Sequence, residues 1–253
     1  MRPIIIGAGR GSRLQHLTDD VPKTMVHVLG RPMLDSILDA LAAGGFAPKD
    51  VVYVCGYRQE VIRARHPEFT FVENVDWERN NILASLLCAR EFMREGFVAT
   101  YSDIVYRPQI VADLVASPAD VALACDTEWR RRYRKRSQHP DTDAEKVNVD
   151  GDRVTRLSRA IAPDDAPAEF IGVMKASPAG AARFVARYDA LHAANAGGEW
   201  RGRPFEKAYL LDMLDDLAQQ GERLAYVPTP GWYMEIDTLE DRSLAETWWW
   251  GGG

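Results

Sequence analysis

Short apolar runs alternate with stretches of helical periodicity through the first half of this chain, and this alternation constrains the fold most. Runs of strand length occur at residues 3 to 6 and recur as "VVYVCGY", "FTFV" and "FVATYSD". Between the first two, a helix from about Met33 has apolar residues at i, i+3, i+4 and i+7, and Gly44-Gly45 ends it. The order predicts an α/β fold with a mostly parallel central sheet and helices on both faces.

The second half departs from this rhythm. The stretch "EKVNVDGDRVTRLS" alternates on either side of Asp150-Gly151, which predicts a tight antiparallel hairpin. Helical patterns follow near 178 to 194 and 205 to 220, and then the strand-like "LAYVPT" and "YMEID" lead to a last helix from Leu239. We therefore expect a single Rossmann-like domain over 1–253 with a hairpin insertion in its second half.

Composition excludes several other classes of protein. A chain of 253 residues with 46% hydrophobic content can bury a large core, and a formal net charge of -6 is unlike the basic balance of most nucleic-acid-binding domains. No segment has the roughly 20 apolar residues of a membrane span, and no leader-like segment begins the chain, so a cytoplasmic location is expected. Cys55, Cys88 and Cys125 lack paired spacing and predict reduced core residues rather than disulfides or a zinc site.

A glycine-rich turn follows the first strand, where ligands bind in open parallel sheets. Gly7, Gly9 and Gly11 allow backbone N–H groups to approach a phosphate chain, and the guanidinium of Arg13 can bind its oxygens. A tight turn without a ligand is the alternative. Four such residues within seven favour an anion site.

Two common phosphate loops fit this stretch poorly. A P-loop has Gly directly before Lys-Ser/Thr, whereas Pro22 precedes Lys23-Thr24. A dinucleotide fingerprint counted from Gly7 has Ser12 where its third Gly or Ala belongs. The anion site is therefore of another kind.

The stretches "GAGRGSRL" and "VPKTMVHVLGRPML" resemble the signature of the nucleoside-triphosphate transferase family, which activates sugar phosphates and phosphocholine. The resemblance implies that the glycine loop wraps a triphosphate, and that Arg13 and Lys23 act on the phosphates around the reacting centre. It implies a wider set of nucleotide contacts, namely Gly7, Ala8, Gly9, Gly11, Ser12, Arg13 and, in the "VCGY" turn, Gly56.

Further stretches, among them "NNILASL", "EFIGVMKAS" and "GWYMEIDTLEDRSLA", resemble the bacterial phosphocholine cytidylyltransferase-like branch, which includes enzymes that use aminoalkylphosphonates. That resemblance places Asn80, Asn81 and Ser85 beside cytosine, whose edge two carboxamides can read. Asn before a helical pattern is also a common N-cap. We expect one Asn to cap the helix and the other to bind the base.

Two carboxylates at predicted strand ends, Asp103 in "TYSD" and Asp237 in "MEID", are suited to share one Mg²⁺, and the resemblance implies this role for both. Structural alternatives exist for each. Asp237 with Glu240 has the spacing of a capping box, and Asp103 can be a turn-forming residue.

The acceptor side is less sharply defined. The resemblance places Glu169 near the acceptor, and Lys146 and Arg159 can reach its phosphate from the hairpin, although ordinary surface charges are the alternative. Choline would need an aromatic box. The candidates are Tyr101, Tyr106, Trp129, Trp232 and Tyr233, and for each one core packing or a place at the rim is the favoured interpretation. A basic run at 130 to 136 would disfavour a cationic acceptor if it faced the pocket; a triphosphate lid and a solvated face are its alternatives.

Together these features predict a Mg²⁺-dependent cytidylyltransferase that joins CTP to a small phosphorylated or phosphonate acceptor such as phosphocholine, phosphoethanolamine or 2-aminoethylphosphonate. The expected nucleotide-binding half is 1–126 and the acceptor-binding half 127–246, followed by a tail at 247–253. A sugar-1-phosphate nucleotidyltransferase using UTP, GTP or dTTP is the alternative, and a non-catalytic nucleotide sensor ranks last. A homodimer is possible; nucleic-acid and membrane partners are not expected.

Overall fold

The computed structural model describes residues 1–248, so most of the Trp-rich ending and of the predicted tail lies outside the described residues. The strands are β1 (Arg2–Ile6), β2 (His27–Val28), β3 (Arg31–Pro32), β4 (Val52–Cys55), β5 (Thr70–Glu73), β6 (Phe97–Tyr101), β7 (Ile104–Tyr106), β8 (Val121–Asp126), β9 (Lys146–Asp150), β10 (Arg153–Leu157), β11 (Ala168–Ala176), β12 (Glu199–Trp200), β13 (Arg203–Pro204), β14 (Leu224–Thr229) and β15 (Tyr233–Glu235).

The α-helices are α1 (Met33–Ala43), α2 (Gln59–Arg65), α3 (Ile82–Cys88), α4 (Gln109–Ala116), α5 (Trp129–Tyr133), α6 (Pro178–Asn195), α7 (Leu210–Gln219) and α8 (Leu239–Trp248). Short 3₁₀ turns lie at Ser12–Thr18, Lys23–Met25, Pro48–Asp50, Arg90–Met93, Asp141–Asp143, Pro163–Asp165 and Phe205–Lys207. Among the described residues, no helix has both the length and the apolar character needed to cross a membrane.

A mixed nine-stranded sheet in the order β5-β4-β1-β6-β11-β8-β14-β10-β9 forms the centre of the fold. Strands β1, β4, β5 and β6 are parallel, as the alternating pattern predicted. Antiparallel pairing extends beyond the predicted β9–β10 hairpin, because β11 runs against both β6 and β8. The α/β prediction is confirmed, and β9 also pairs with the start of β11, which brings the hairpin back to the sheet.

Helices cover both faces of this sheet. Helices α3, α6 and α7 pack in one core, and α1, α2 and α4 pack in the other. Strand β1 serves both, because Ile4 and Ile6 lie in the first core and Ile5 in the second. A strand buried on two faces needs a continuous apolar run, which explains why three isoleucines precede the glycine turn.

The largest difference from the predicted elements lies at 205 to 220. The expected single helix is a 3₁₀ turn at Phe205–Lys207 followed by α7. The backbone N–H of Tyr209 donates to the carboxylate of Asp212, which caps the start of α7 and separates the two pieces. The strands that carry the predicted carboxylates are also shorter than expected: β6 ends at Tyr101 and β15 at Glu235.

Candidate active site

Two adjacent cavities open beyond the carboxyl ends of β1 and β6. The glycine-loop cavity, of about 300 Å³, includes Gly9, Gly11, Lys23, Asn80 and Asp103 in its lining. The hairpin cavity, of about 250 Å³, lies beside the base of the β9–β10 hairpin. Both are lined by Arg13 and Asp237, so a single pair of charged side chains forms part of the wall of each.

The glycine loop reaches the cavity with five of its predicted residues, which are Ala8, Gly9, Gly11, Ser12 and Arg13. Gly11 has φ +68°, and a Cβ there would lie 2.5 Å from Cδ of Lys23, so the position requires glycine. The loop and Lys23 therefore pack directly against each other.

Gly7 and Gly56 do not line either cavity in the described part of the chain, which departs from their predicted role. Gly7 lies against the hydroxyl of Tyr53, which leaves no room for a Cβ. A Cβ on Gly56 would lie 2.7 Å from the carbonyl oxygen of Ala8 and 2.8 Å from the Trp77 ring. Both glycines allow the close packing that shapes the loop rather than facing a ligand.

Asp103 and Asp237 meet because β7 and β15 pair in antiparallel register. The backbone N–H of Ile236 donates to the carbonyl of Asp103 at 2.8 Å, which brings the ends of the two segments together. The ammonium of Lys23 donates to Asp103 Oδ2 at 2.8 Å and also to Asp237 Oδ1. Arg13 contacts the other oxygen of Asp237 at 2.5 Å. The four charged residues predicted from the sequence, Arg13, Lys23, Asp103 and Asp237, thus form one contiguous cluster.

The surroundings of Lys23 and Asp237 in this cluster favour the charged form of each side chain. Burial opposes the charged form of Lys23, but the neighbouring Asp103 and Asp237 outweigh it and raise the pKa of its ammonium. Burial likewise opposes ionised Asp237, but Lys23 and Arg13 outweigh it and lower the pKa of its carboxyl below the ordinary value. At neutral pH both Lys23 and Asp237 are therefore charged.

The capping alternative for Asp237 is wrong. The box at the start of α8 lies one residue later: Thr238 Oγ1 accepts from the N–H of Asp241, and Asp241 accepts from the N–H of Thr238. Glu240 instead accepts from the backbone and hydroxyl of Ser137. The carboxylate of Asp237 is therefore directed at Lys23 and Arg13 and not at the helix.

The oxygens of Asp103 and Asp237 fit the predicted divalent metal. They are hard ligands of the kind Mg²⁺ prefers, and Asp103 Oδ1 is a buried atom without a hydrogen-bond partner among the described residues. That oxygen also makes no turn hydrogen bond, contrary to the turn-forming alternative. A second group, His139, Glu235 and Asp237, has candidate ligand atoms within 4.8 Å of one another.

The predicted Asn80, Asn81 and Ser85 all line the glycine-loop cavity. Asn81 caps α3, because its side-chain oxygen accepts from the N–H of Ile82 at 2.8 Å. Asn80 exchanges two hydrogen bonds with Asn74, which also donates to Ser85 Oγ at 2.8 Å. The division between a capping and a non-capping Asn is as expected, and buried Asn74 is an organising residue that the sequence reading missed.

Replacing Asn74 with alanine should raise the KM for the nucleotide about tenfold or more, with a smaller effect on kcat. Asn80 and Ser85 would each lose a hydrogen-bond partner, and their side chains would no longer be fixed at the cavity wall. Steady-state kinetics with varied nucleotide measures the effect. Asn148→Ala, on β9 and away from this cavity, is the matched control, and an unchanged KM in Asn74→Ala would contradict the assignment.

The hairpin cavity contains three of the four predicted acceptor residues, Tyr101, Arg159 and Glu169. For Lys146 the structure departs from the predicted role in acceptor binding. It is buried, and its ammonium donates to the backbone carbonyl of Asp141 at 3.0 Å, so it does not line the cavity. Lys146 is the first residue of β9, and its side chain reaches back to the chain that precedes the strand.

Glu169 lies within a buried ion-pair network. Arg132 bridges Glu169 and Asp126, and Tyr133 donates to Glu169 Oε1 at 2.9 Å. Arg136, from the same basic run, is buried against Asp241 at 2.7 Å. The run is therefore not wholly a solvated face, because Arg132 and Arg136 are buried and paired with carboxylates.

The fold of the chain is that of nucleotidyltransferases: it aligns with the CTP:phosphocholine cytidylyltransferase from Streptococcus pneumoniae at a TM-score of 0.69, with 20% identity and 97% of each chain covered. The protein belongs to the family described as the MobA-like NTP transferase domain, which matches residues 3–193. The predicted nucleoside-triphosphate transferase resemblance is thereby confirmed.

Two curated relatives are similar in sequence. The CTP:phosphoglutamine cytidylyltransferase of Campylobacter jejuni is 28% identical over 251 residues, which covers 95% of this chain and 97% of the relative. The 2-aminoethylphosphonate cytidylyltransferase of Lancefieldella rimae is 31% identical over 96 residues, which covers 37% and 38%.

Several site residues were missed by the sequence reading, namely Asn74, Arg132, His139, Glu145, Tyr209 and Glu235. Asn74 lies two residues beyond the stretch "FTFV" and directly after β5, so the strand-end argument used for Asp103 would have found it. Glu145 precedes Lys146 and enters the cavity in its place. No local pattern distinguishes Tyr209.

Proposed function

We propose that the protein transfers CMP from CTP to a small acceptor that carries a phosphate or phosphonate, with release of pyrophosphate. The observation that carries this proposal is the shared wall of two cavities, where Arg13, Lys23, Asp103 and Asp237 form one cluster. A transfer reaction needs two substrates to meet at such a junction. The names of the two curated relatives support CTP as the nucleotide.

In the proposed reaction an acceptor oxygen forms a bond to the α-phosphorus of CTP, and the bond between that phosphorus and the bridging oxygen of the leaving pyrophosphate breaks. Both partners are anionic, so neutralising charge and aligning the groups are the main tasks of the site. Arg13 and Lys23 supply fixed positive charge at the junction. No covalent intermediate is needed.

The glycine loop would receive the triphosphate through its backbone N–H groups. Asn80, Asn81 and Ser85 would contact the base; each carboxamide keeps hydrogen-bonding capacity beyond its contacts within the chain. Asp103 and Asp237 would hold Mg²⁺, which when bound adds positive charge to the phosphates. Glu169, Arg159 and Tyr101 would face the acceptor.

Pyrophosphate release tests the proposal. Purified protein with Mg²⁺ is assayed with CTP, UTP, GTP and ATP against 2-aminoethylphosphonate, phosphoethanolamine, phosphocholine and sugar 1-phosphates. Turnover confined to CTP with a phosphonate or amino-alcohol phosphate is the expected result. Turnover only with UTP or GTP and a sugar phosphate would overturn it in favour of the sugar nucleotide alternative.

A homodimer and a cytoplasmic location remain predictions.

A further inference from the structure

The hairpin cavity is rich in carboxyl groups. Among the described residues its lining includes two guanidinium groups, those of Arg13 and Arg159, and five carboxylates: Asp143, Glu145, Glu169, Glu235 and Asp237. The buried arginine behind the wall, Arg132, pairs with both Glu169 and Asp126, and burial raises the pKa of Glu235, which favours its neutral form. A cavity that would receive an anionic phosphate or phosphonate thus presents several carboxyl groups to the remainder of the acceptor.

One of these carboxyl groups has long hydrogen bonds. Among the described residues, Glu145 accepts one on each oxygen, from Arg159 at 3.2 Å and from the hydroxyl of Tyr101 at 3.3 Å. Its side chain is 11% exposed, and burial, more than any other factor, raises the pKa of its carboxyl to about 7. Glu169, by contrast, has a close partner on each oxygen. Glu145 can therefore gain a closer partner from a cationic ligand.

Two of the aromatic rings that line the cavity, those of Tyr209 and Tyr233, are already in contact with arginines of the chain itself. The guanidinium groups of Arg159 and Arg203 each lie 4.3 Å from the centre of the Tyr209 ring. Arg132 lies 4.5 Å from the centre of the Tyr233 ring. These contacts use the ring faces that a quaternary ammonium would need.

Of the other candidates for an aromatic box, Tyr101 lines this cavity and Tyr106, Trp129 and Trp232 do not. Tyr101 packs its ring against Gly172, where a Cβ would clash. Tyr106 is buried and hydrogen-bonded to Thr100 at 3.0 Å. Trp129 is fully buried, and Trp232 is covered by Arg107 at 4.5 Å from its ring centre. The described residues therefore do not form the aromatic box considered from the sequence.

We propose that the acceptor carries a primary ammonium group that donates hydrogen bonds to Glu145, and that the cavity selects against a quaternary ammonium. This inference rests on the proposed function, since it concerns the acceptor of that same site. A primary ammonium has three N–H donors and suits a carboxylate. A trimethylammonium has none, and it would leave Glu145 buried without a new partner.

The test uses three acceptors that share one phosphonate: 2-aminoethylphosphonate, its N-trimethyl analogue and 2-hydroxyethylphosphonate. Equilibrium binding by calorimetry and CTP-dependent pyrophosphate release are both measured. The amine should have a kcat/KM and an affinity at least about thirtyfold above those of the trimethyl analogue. Equal values would overturn the inference without affecting the proposed function. Selective binding of the amine with no turnover would overturn the proposed function and support the inference.

Glu145→Gln is the diagnostic variant because it keeps the size and hydrogen-bonding capacity of the side chain. It should reduce the advantage of the amine over the hydroxyl analogue to within about threefold. Turnover of the hydroxyl analogue reports whether the variant remains folded. Glu95→Gln, at an exposed position, is the control. An undiminished preference for the amine in Glu145→Gln would remove Glu145 from the assignment.

A pH profile separates this role from a structural one. Arg159, Tyr101 and Glu169 face Glu145 from their three segments, and Asp143 and His139 line the same cavity. Because Glu145 ionises at about pH 7, the ratio of kcat/KM for the amine to that for the hydroxyl analogue should rise between about pH 6 and 8. The ratio should be flat in Glu145→Gln, and a flat wild-type ratio would contradict the proposal.

Discussion

Replacing Asp103 with alanine should lower kcat/KM for CTP by at least about 10³-fold. The change removes a carboxylate that lines the glycine-loop cavity and one of the two partners of Lys23. The side chain of Asp103 is 25% exposed, so we expect the unfolding midpoint to change by only a few degrees. Pyrophosphate release and thermal unfolding measure the two effects.

Asp113→Ala is the matched control, because this aspartate lies on α4 and, among the described residues, its side chain accepts a hydrogen bond only from Gln109. It should retain the activity of the parent. If Asp103→Ala retained its turnover and its dependence on added Mg²⁺, Asp103 would not be a metal ligand.

Replacing Lys23 with methionine should have a comparable effect on activity and a larger one on stability. Lys23 is 8% exposed and separates two carboxylates, so its loss leaves Asp103 and Asp237 close together without their shared cation. Breaking a buried ion pair in this way costs about 3–5 kcal/mol of unfolding free energy. Activity should fall by about 10²-fold or more, because a fixed charge at the junction is lost.

The pH dependence of stability should change with it. In the wild type the pKa of Asp237 is lower in the folded than in the unfolded state, so its contribution to stability is present above about pH 4 and is lost as the pH falls. Without Lys23 this difference shrinks. Denaturant unfolding across pH 3 to 7 should therefore give a shallower slope for Lys23→Met than for the wild type.

Added Mg²⁺ provides a further comparison. In Lys23→Met it should restore part of the lost unfolding free energy, since the two carboxylates regain a cation. Lys49→Met, at an exposed position, should respond as the wild type does. Equal stability of Lys23→Met and the wild type without Mg²⁺ would show that the ion pairs contribute nothing to the fold.

The sequence was most informative where a functional side chain lies within a few residues of the end of a strand. The glycine loop, Arg13, Lys23 and Asp103 could be found because each lies just beyond a strand or within a recognisable local motif. Asp237 could be found for the same reason, although its capping alternative was settled only by the register of Thr238 and Asp241. A shift of one residue decides whether a carboxylate caps a helix or faces a site.

The acceptor side was harder because its geometry depends on contacts between distant segments. Arg132 appeared as one of many charges in a basic run, yet its partner Glu169 is 37 residues away in the sequence. Glu145 and Lys146 are adjacent, and only the way the start of β9 meets β11 decides which of them enters the cavity. The same holds for two of the aromatic candidates, Trp232 and Tyr233, because the arginines that cover them, Arg107 and Arg132, come from other parts of the chain.

The wall shared by the two cavities makes their ligands thermodynamically linked. Arg13 and Asp237 contact each other and belong to both linings, so a ligand that draws Arg13 away from Asp237 on one side also changes the surface presented on the other. Any resulting change in affinity is reciprocal: the factor by which the nucleotide alters acceptor binding equals the factor by which the acceptor alters nucleotide binding. In this fold, cooperativity between substrates requires no movement larger than the swing of one guanidinium.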